Sequence, residues 1–288
     1  MAIIGINTNG INNIDSLIQG IREHKENGFD LVEISLDICP LIIAGKINAP
    51  FVKYFHQQIK ACDMLYSAHI GTGLNIRSRD HFEIHKDALF SSIDVCAESE
   101  IPTLVLHFEE ASPYTYLEER FYEVHFQAAE HAARRGVLLF MENIEVENYK
   151  PVLEMVKTLN HSFFKMNLDF GHLFLSARHF GYSFEDAVRE CAPYVGHCHL
   201  NDNPGIFDPM RLSNFDLYRT KPMGMRISFG EGDIHMPPFT CNVPLEFGIG
   251  ELKKHNYRGV YICEYMNSMF KPFNREIQER VRSRVEAL

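Results

Sequence analysis

Residues 164–172 read FKMNLDFGH, an apolar run that ends in Asp169 and continues directly into Gly171 and His172. The neighbouring runs have the same design, because residues 137–143 read VLLFMEN and residues 194–202 read YVGHCHLND. Each run has the length of a β-strand and is almost continuously apolar, as is typical of parallel strands covered on both faces. The stretch therefore predicts adjacent parallel strands that end in carboxylate, amide and imidazole side chains.

Similar runs recur from one end of the chain to the other. They lie at residues 3–8, 30–36, 65–70, 103–108, 137–142, 164–169, 194–200 and 260–265. Amphipathic helical segments alternate with them, at residues 14–27, 85–98, 117–135, 148–159, 183–191, 243–255 and 273–288. This alternation predicts parallel βαβ units, and eight strands predict an α/β fold of one domain over residues 1–288, a (β/α)8 TIM barrel.

A doubly wound open sheet is the alternative architecture. It usually carries a glycine-rich phosphate-binding loop after the first strand, whereas this chain has Asn7-Thr8-Asn9-Gly10 there. The connection over residues 201–242, after the seventh strand, shows little periodicity and is long for a barrel loop. We expect it to form a lid or a binding loop over the active face.

Composition narrows the class of protein. The chain has 288 residues, 45% hydrophobic and 23% charged, with a net charge of −10. It is too apolar for a disordered chain, and no apolar run approaches the roughly 20 residues of a membrane helix. The acidic balance makes nucleic acid an unlikely main partner without excluding it. The seven cysteines are scattered and form no C-x-x-C pair, which favours reduced thiols and a cytoplasmic location. The first segment has the pattern of a strand, which also favours that location.

Six consecutive strands end in a side chain that can bind a metal. These residues are His69, His107, Glu142, Asp169, His199 and Glu264. In a barrel they converge on the C-terminal mouth, where active sites lie. Buried carboxylates and imidazoles are costly unless they are paired or bind a cation. The mixed ligand types predict a divalent metal, Mn²⁺ or Zn²⁺ first, with Co²⁺, Fe²⁺ and Mg²⁺ as further candidates.

Several motifs carry a resemblance to a known family. They are His69, His107, Glu142-Asn143, Asp169-Phe170-Gly171-His172, His199-Leu200-Asn201-Asp202, Gly230-Glu231-Gly232-Asp233 and Glu264. Together they resemble the xylose isomerase-like TIM barrels, which include sugar epimerases, sugar isomerases and endonuclease IV. The resemblance covers essentially the whole chain.

The resemblance implies a set of site residues. The shared metal site would consist of Glu142, Asp169, His199 and Glu264. A possible second metal site would consist of His69, His107 and Glu142, and the two histidines would otherwise contact substrate. His172 matches a residue that binds substrate in the epimerases and a third zinc in the endonuclease.

Departures from the endonuclease pattern concern the third zinc site and DNA. The positions that complete that zinc site are Gly224 and Arg226 here, so only His172 is expected to remain of it. Thr72 stands where the endonuclease has an aromatic residue that contacts DNA. Arg226 could bind a substrate phosphate or carboxylate, and a solvated loop arginine is the alternative.

The implied activity is a divalent-metal-dependent epimerase or isomerase acting on a small-molecule sugar or sugar phosphate. The metal would hold two adjacent oxygens of a hydroxy-ketone as an enediolate forms, while Glu142 and Glu264 remove and return a proton. A lyase or dehydratase on a keto-sugar, a zinc phosphodiesterase acting on abasic DNA, and a binding protein without catalysis are the alternatives.

Other features stay open at this point. The sequence leaves undecided the roles of Glu33, His197 and His235, and whether Asp202 supports His199 or caps a loop. Barrels of this size often associate, so a homo-oligomer is compatible with the sequence.

Overall fold

A computed structural model describes residues 1–8, 11, 13–70 and 73–288 of the chain. Its strands are β1 (Ile4–Asn7), β2 (Leu31–Ser35), β3 (Ile42–Ile43), β4 (Lys46–Ile47), β5 (Leu65–Ile70), β6 (Thr103–His107), β7 (Leu138–Glu142), β8 (Phe164–Asp169), β9 (Val195–Leu200) and β10 (Tyr261–Cys263). Eight of them close a barrel in the order β1-β10-β9-β8-β7-β6-β5-β2, and every neighbouring pair is parallel. The predicted (β/α)8 barrel is confirmed, and β3 and β4 form a small antiparallel hairpin outside it.

Helices surround the barrel. They are α1 (Ile14–Glu26), α2 (Ala49–Lys60), α3 (Phe82–Glu98), α4 (Thr115–Arg135), α5 (Tyr149–Leu159), α6 (Phe170–Phe180), α7 (Phe184–Cys191), α8 (Met210–Ser213), α9 (Phe215–Tyr218), α10 (Met223–Phe229), α11 (Leu245–Lys254), α12 (Asn267–Phe270) and α13 (Asn274–Ala287). Local chemistry fixes several of their ends. The side chain of Ser183 caps α7 by accepting from the backbone N–H of Asp186, and Gly136 ends α4 in the left-handed conformation.

Two helices of more than ten residues, α2 and α6, lie outside the segments that periodicity predicted. Helix α2 buries Val52, Phe55 and Ile59, so its apolar stripe was present in the sequence. Helix α6 begins directly after β8, because Asp169 is at once the last residue of the strand and the N-cap of the helix. The sequence motif at that junction predicted a turn only.

The 201–242 connection is more ordered than its composition indicated. It contains α8, α9 and α10, and isolated bridges pair Asp202 with Met236 and Ile206 with Glu231. The Asp202 carboxylate accepts from the backbone N–H groups of Thr240, at 2.8 Å, and Val243, at 2.9 Å. Asp202 therefore caps this loop, which decides between the two roles that the sequence left open.

The hydrophobic core fills the barrel and the layer between barrel and helices. Ile34, Leu104 and Leu168 come from barrel strands, and Phe55 and Phe170 come from helices; all five are fully buried. The chain's cysteines are all free, as the scattered spacing predicted. Polar residues interrupt the apolar interior at the carboxyl ends of the strands, and they form the site described next.

Candidate active site

Four side chains that can bind a cation meet at the carboxyl ends of neighbouring strands. Glu142 ends β7, Asp169 ends β8, His199 lies on β9 and Glu264 directly follows β10. These strands are consecutive in the barrel, so their ends open at one place in the mouth. Glu142, Asp169 and His199 are fully buried, and Glu264 is 7% exposed. One ligand atom from each of the four lies within 4.8 Å of the others.

Nδ1 of His199 is central to this four-donor cluster. It lies 2.7 Å from Glu264 Oε2, 3.2 Å from Glu142 Oε2 and 3.8 Å from Asp169 Oδ2. These separations leave His199 facing three carboxylates from three different strands. The structure thus brings together the four residues that the resemblance assigned to a metal site.

Three residues of this cluster have polar atoms without a hydrogen bond, although both oxygens of Asp169 have one. Among the described residues, Glu142 Oε1, Glu264 Oε2 and His199 Nδ1 are buried atoms without a hydrogen bond. Burying such atoms is costly, and a cation between them removes the cost. Carboxylate oxygen and imidazole nitrogen are also the donor types that first-row divalent metals accept. The residues therefore fit a divalent cation.

The charges of the cluster follow from burial and from the neighbouring imidazoles. Burial by itself would raise the pKa of Glu142, but His199 and His107 hold that pKa well below its ordinary value. Burial would likewise raise the pKa of Glu264, and His199 lowers it. Burial raises the pKa of Asp169 to about 6, against the opposing effect of His172. Glu142 and Glu264 are the more acidic carboxylates of the three.

Hydrogen bonds with His172, Asn201 and Asn143 hold Asp169 in place. Asp169 Oδ1 accepts from the backbone N–H of His172 at 2.6 Å, as an N-cap does. Its Oδ2 accepts from Asn201 Nδ2 at 2.7 Å. The Asn143 side chain bonds both the N–H and the C=O of residue 169, each at 3.0 Å. The ends of β7, β8 and β9 are thereby tied to one another.

A second cluster adjoins Glu142. His69 Nε2 lies 3.2 Å from Glu142 Oε2, His107 Nε2 lies 3.7 Å from Glu142 Oε1, and the two imidazole centroids are 4.7 Å apart. Burial lowers the pKa of His107 to about 4, so its ring is neutral at physiological pH and can act as a ligand. This second cluster fits either a second cation or a hydroxyl group of a substrate.

A third cluster differs from what the sequence motifs predicted. The expectation that only His172 remains of a third site is wrong, because Asp233 and His235 join it. Asp233 Oδ2 lies 2.9 Å from His235 Nε2 and 3.4 Å from His172 Nε2. The partners follow the Gly230-Glu231-Gly232 turn, whereas the endonuclease pattern places them before it. The Asp-x-His spacing at 233–235 was the signal that could have identified them.

The two histidines of the third cluster are oriented by backbone carbonyls. His172 Nδ1 lies 3.0 Å from the carbonyl oxygen of Asn143, and His235 Nδ1 lies 3.0 Å from that of Glu264. Carbonyls only accept, so each Nδ1 carries a proton and each Nε2 is directed toward Asp233. Burial would lower both pKa values, but Asp233 raises the pKa of His235 to about 10, and Asp169 and Asp233 raise that of His172 well above its ordinary value. A cation bound here would displace the Nε2 protons. The two Nε2 atoms are 3.4 Å apart. Two tetrahedral zinc ligands with bonds of about 2.0–2.1 Å lie roughly 3.3 Å apart, so the cluster fits a cation.

Arg226 is buried inside the 201–242 segment. Its guanidinium donates to the hydroxyl of Tyr218 and to the carbonyl of Asp233, and it stacks over the Tyr218 ring at 4.3 Å. The alternative of a solvated loop arginine is therefore wrong, since Arg226 is 8% exposed. Gly224 lies on α10, and a Cβ atom at that position would meet no other atom of the described residues within 4 Å. The role of Arg226 in binding a substrate anion stays a prediction.

Two residues whose roles were open lie deeper in the barrel. Glu33 is fully buried and His197 is 1% exposed. Beneath the four-donor cluster, His197 Nε2 lies 3.4 Å from Glu33 Oε2. His235 belongs to the third cluster. Asn9, Gly10 and Thr72, on which two sequence-based arguments rested, lie outside the described residues.

Comparison with protein families agrees with this architecture. The family model described as "Xylose isomerase-like TIM barrel" matches residues 21–284. The chain belongs to the xylose isomerase-like TIM barrel family. No curated protein matches the chain significantly. In the described residues, no helix is both long enough and apolar enough to span a membrane.

Several solved structures have the same fold. A xylose isomerase-like TIM barrel protein from Mycobacterium smegmatis, in complex with magnesium, is 16% identical, with a TM-score of 0.73 over 100% of this chain and 97% of that one. The 3-keto-D-glucoside 4-epimerase YcjR from E. coli is 15% identical, with a TM-score of 0.68 over 98% and 100%. D-psicose 3-epimerase from Clostridium cellulolyticum H10, with D-tagatose, is 16% identical, with a TM-score of 0.68 over 98% and 99%.

Proposed function

We propose that the chain is a divalent-metal-dependent epimerase or isomerase of a sugar or sugar phosphate. The observation that carries the proposal is the pair Glu142 and Glu264, two buried carboxylates that flank His199 and each keep one oxygen without a hydrogen bond. The fold supports it, since solved structures of this shape include enzymes named as sugar 3-epimerases and a 4-epimerase.

Glu142, Asp169, His199 and Glu264 would hold the metal. Bound there, a divalent metal would polarise a carbonyl and acidify the neighbouring C–H. Glu142 would take the proton from one face of the substrate, and Glu264 would return a proton to the other. The low pKa of Glu142 keeps this carboxylate ionised and able to accept the substrate proton. Glu264 is also ionised at rest, so it would take up a proton from solvent before it returns one, and Glu142 would release its proton to solvent afterwards.

The surrounding side chains would bind and orient the sugar. His69 and His107 line the mouth beside Glu142, and we assign them to substrate hydroxyl groups when one metal is bound. His172 would orient a hydroxyl from the α6 side. Arg226 can reach a substrate anion only by exchanging its bonds to Tyr218 and Asp233. Unchanged Michaelis constants for anionic substrates in Arg226→Ala would exclude that role.

Proton exchange tests this proposal directly. The protein, purified without chelator or affinity metal, is incubated with Mn²⁺ and a panel of ketoses and ketose phosphates in deuterated water. We expect deuterium at the carbon next to the carbonyl, together with an epimeric or isomeric product, by NMR and mass spectrometry. A product lacking the elements of water would identify a dehydratase. Absence of exchange with every substrate of the panel would contradict the proposal.

Metal-dependent phosphoester hydrolysis is the second candidate. The observation that favours it is the presence of two further donor clusters beside the first, at His69–His107 and at His172–Asp233–His235. Several adjacent divalent cations stabilise the attacking and leaving oxygens of a phosphodiester. The net charge of −10 disfavours a polyanionic substrate such as DNA.

Metal content and one hydrolysis assay separate the two candidates. One equivalent of metal per chain, with ketose exchange, supports the sugar enzyme. Two or three equivalents of zinc, with nicking of a duplex that contains an abasic site, would favour the phosphodiesterase.

A further inference from the structure

Four buried polar residues form a layer directly beneath the four-donor cluster. They are Glu33 on β2, Ser67 on β5, Asn167 on β8 and His197 on β9. Three of them precede a residue of the mouth by two positions: Ser67 precedes His69, Asn167 precedes Asp169, and His197 precedes His199. Side chains two apart on a strand point the same way, so this polar layer occupies the next level down in the barrel.

Glu33 contacts the side of His199 that faces away from the carboxylates of the cluster. His199 Nε2 lies 3.0 Å from Glu33 Oε1, while its Nδ1 lies 2.7 Å from Glu264 Oε2. A neutral imidazole has one N–H and one lone pair. With the proton on Nε2, next to Glu33, the lone pair of Nδ1 points into the four-donor cluster.

The rest of the polar layer holds Glu33 and reaches a second ligand. Ser67 Oγ donates to Glu33 Oε2 at 2.9 Å, and His197 Nε2 lies 3.4 Å from the same oxygen. His197 Nδ1 lies 3.0 Å from Asn167 Oδ1, so the amide of Asn167 turns its nitrogen toward Glu142. Asn167 Nδ2 then donates to Glu142 Oε2 at 2.8 Å.

A fully buried carboxylate at this place needs a physical reason. Within the described part of the chain, the ion-pair partners of Glu33 are His197 and His199, and no lysine or arginine pairs with it. A buried carboxylate without a permanent cation costs stability. This cost is offset at the metal site, because an imidazole that donates a hydrogen bond to a carboxylate is a better metal ligand and is fixed in one tautomer.

We propose that Glu33 is a positioning residue, whose carboxylate holds His199 in the tautomer that binds a divalent cation through Nδ1. Ser67 holds Glu33 in turn, His197 orients Asn167, and Asn167 extends the same support to Glu142. This inference rests on the metal site of the proposed function but does not depend on which substrate the enzyme converts.

Cation affinity of Glu33→Gln tests the inference. The full chain is stripped of metal, its fold is checked by circular dichroism and thermal unfolding, and Mn²⁺ and Co²⁺ are titrated by calorimetry and by the Co²⁺ absorption spectrum. We expect binding about 10- to 100-fold weaker than in the parent protein, with a changed Co²⁺ spectrum. Glu33→Asp, which keeps the charge, is expected to recover part of the affinity.

A matched control applies the same chemical change elsewhere. Glu251 lies on α11 and pairs with Lys254, so Glu251→Gln should leave cation affinity and the Co²⁺ spectrum unchanged. Wild-type affinity and spectrum in a folded Glu33→Gln would overturn the inference. A parent protein that binds the cation but converts no ketose would instead overturn the sugar chemistry alone.

A measurement on the unsubstituted protein covers the case in which Glu33→Gln does not fold. Long-range ¹H–¹⁵N spectra of histidine-labelled, Zn²⁺-loaded protein report which ring nitrogen carries the proton. We expect the His199 proton on Nε2. A proton on Nδ1 would overturn the inference.

Discussion

Gly171 packs directly against the side chain of Asn201, and a Cβ atom at position 171 would lie 1.7 Å from Asn201 Oδ1. The same Asn201 donates from Nδ2 to Asp169 Oδ2. The glycine of the Asp-x-Gly-His turn is therefore needed for close packing, and it protects a contact that orients one of the candidate metal ligands.

Gly171→Ala is accordingly expected to displace Asn201 and free Asp169. We expect a Tm several degrees lower and divalent-cation affinity at least severalfold weaker, because overpacking costs about 1–3 kcal/mol. Differential scanning fluorimetry and metal titration measure both. Gly250→Ala is the control, since a Cβ atom at that position of α11 would meet open space and alanine favours helix. Equal Tm and affinity in Gly171→Ala and the parent protein would refute the packing argument.

Glu142→Gln and Glu264→Gln are expected to abolish proton exchange while the fold survives. Each replaces a proton acceptor with an amide of the same shape, so kcat should fall by at least about 10²-fold. Deuterium incorporation into ketose measures the loss, and circular dichroism checks the fold. Glu231→Gln, an exposed carboxylate of the 201–242 segment, is the matched control. Normal exchange in either site variant would remove its residue from the proton-transfer role.

Asp233→Asn and His235→Ala test the third cluster. If a cation binds between His172, Asp233 and His235, each variant should hold one zinc equivalent less than the parent protein under zinc-saturating conditions. The four-donor cluster should keep its ion, since none of its ligands is changed. Elemental analysis after gel filtration measures the count. The same count in parent and variants would show that a proton, and not a metal, occupies the third cluster.

His125 makes stability depend on pH at a place remote from the mouth. It is buried on α4, its Nδ1 bonds the carbonyl of Phe121 at 2.7 Å, and burial lowers its pKa to about 4 from an ordinary 6.5. Between pH 4 and pH 6.5 the unfolded chain binds a proton at His125 and the folded chain does not. The contribution of His125 to stability is therefore full above pH 6.5 and is lost as the pH falls toward 4.

Urea unfolding at pH 7 and pH 5 measures this loss. Between pH 7 and pH 5 the free energy of unfolding should fall by roughly 2 kcal/mol more in the parent protein than in His125→Gln, because the pKa of His125 differs between the folded and unfolded states. Exposed His81, replaced in the same way, should leave the pH dependence as it is. A pH dependence in His125→Gln equal to that of the parent would contradict the assignment.

The barrel and its main cluster were predictable because they depend on local patterns. Apolar runs that end in Glu142, Asp169 and His199 define strand ends, and parallel strands of a barrel bring their ends to one mouth. No information about loops was needed. Helix α2 was missed although its buried Val52, Phe55 and Ile59 have helical spacing. Helix α6 was missed because it follows β8 without a break and buries most of its first eight residues, so little alternation of polar and apolar positions marks it.

The sequence by itself therefore determined the eight strands, their parallel order around a barrel, and the residues that meet at its mouth. Only the tertiary structure decided that Asp233 and His235 return to His172, that Asp202 closes the 201–242 segment, and that Glu33 contacts His199. The physical reason is the range of the interactions. The pattern of a strand depends on residues one or two positions apart in the sequence. His172 and His235 are 63 residues apart and meet only when the connecting loop has folded.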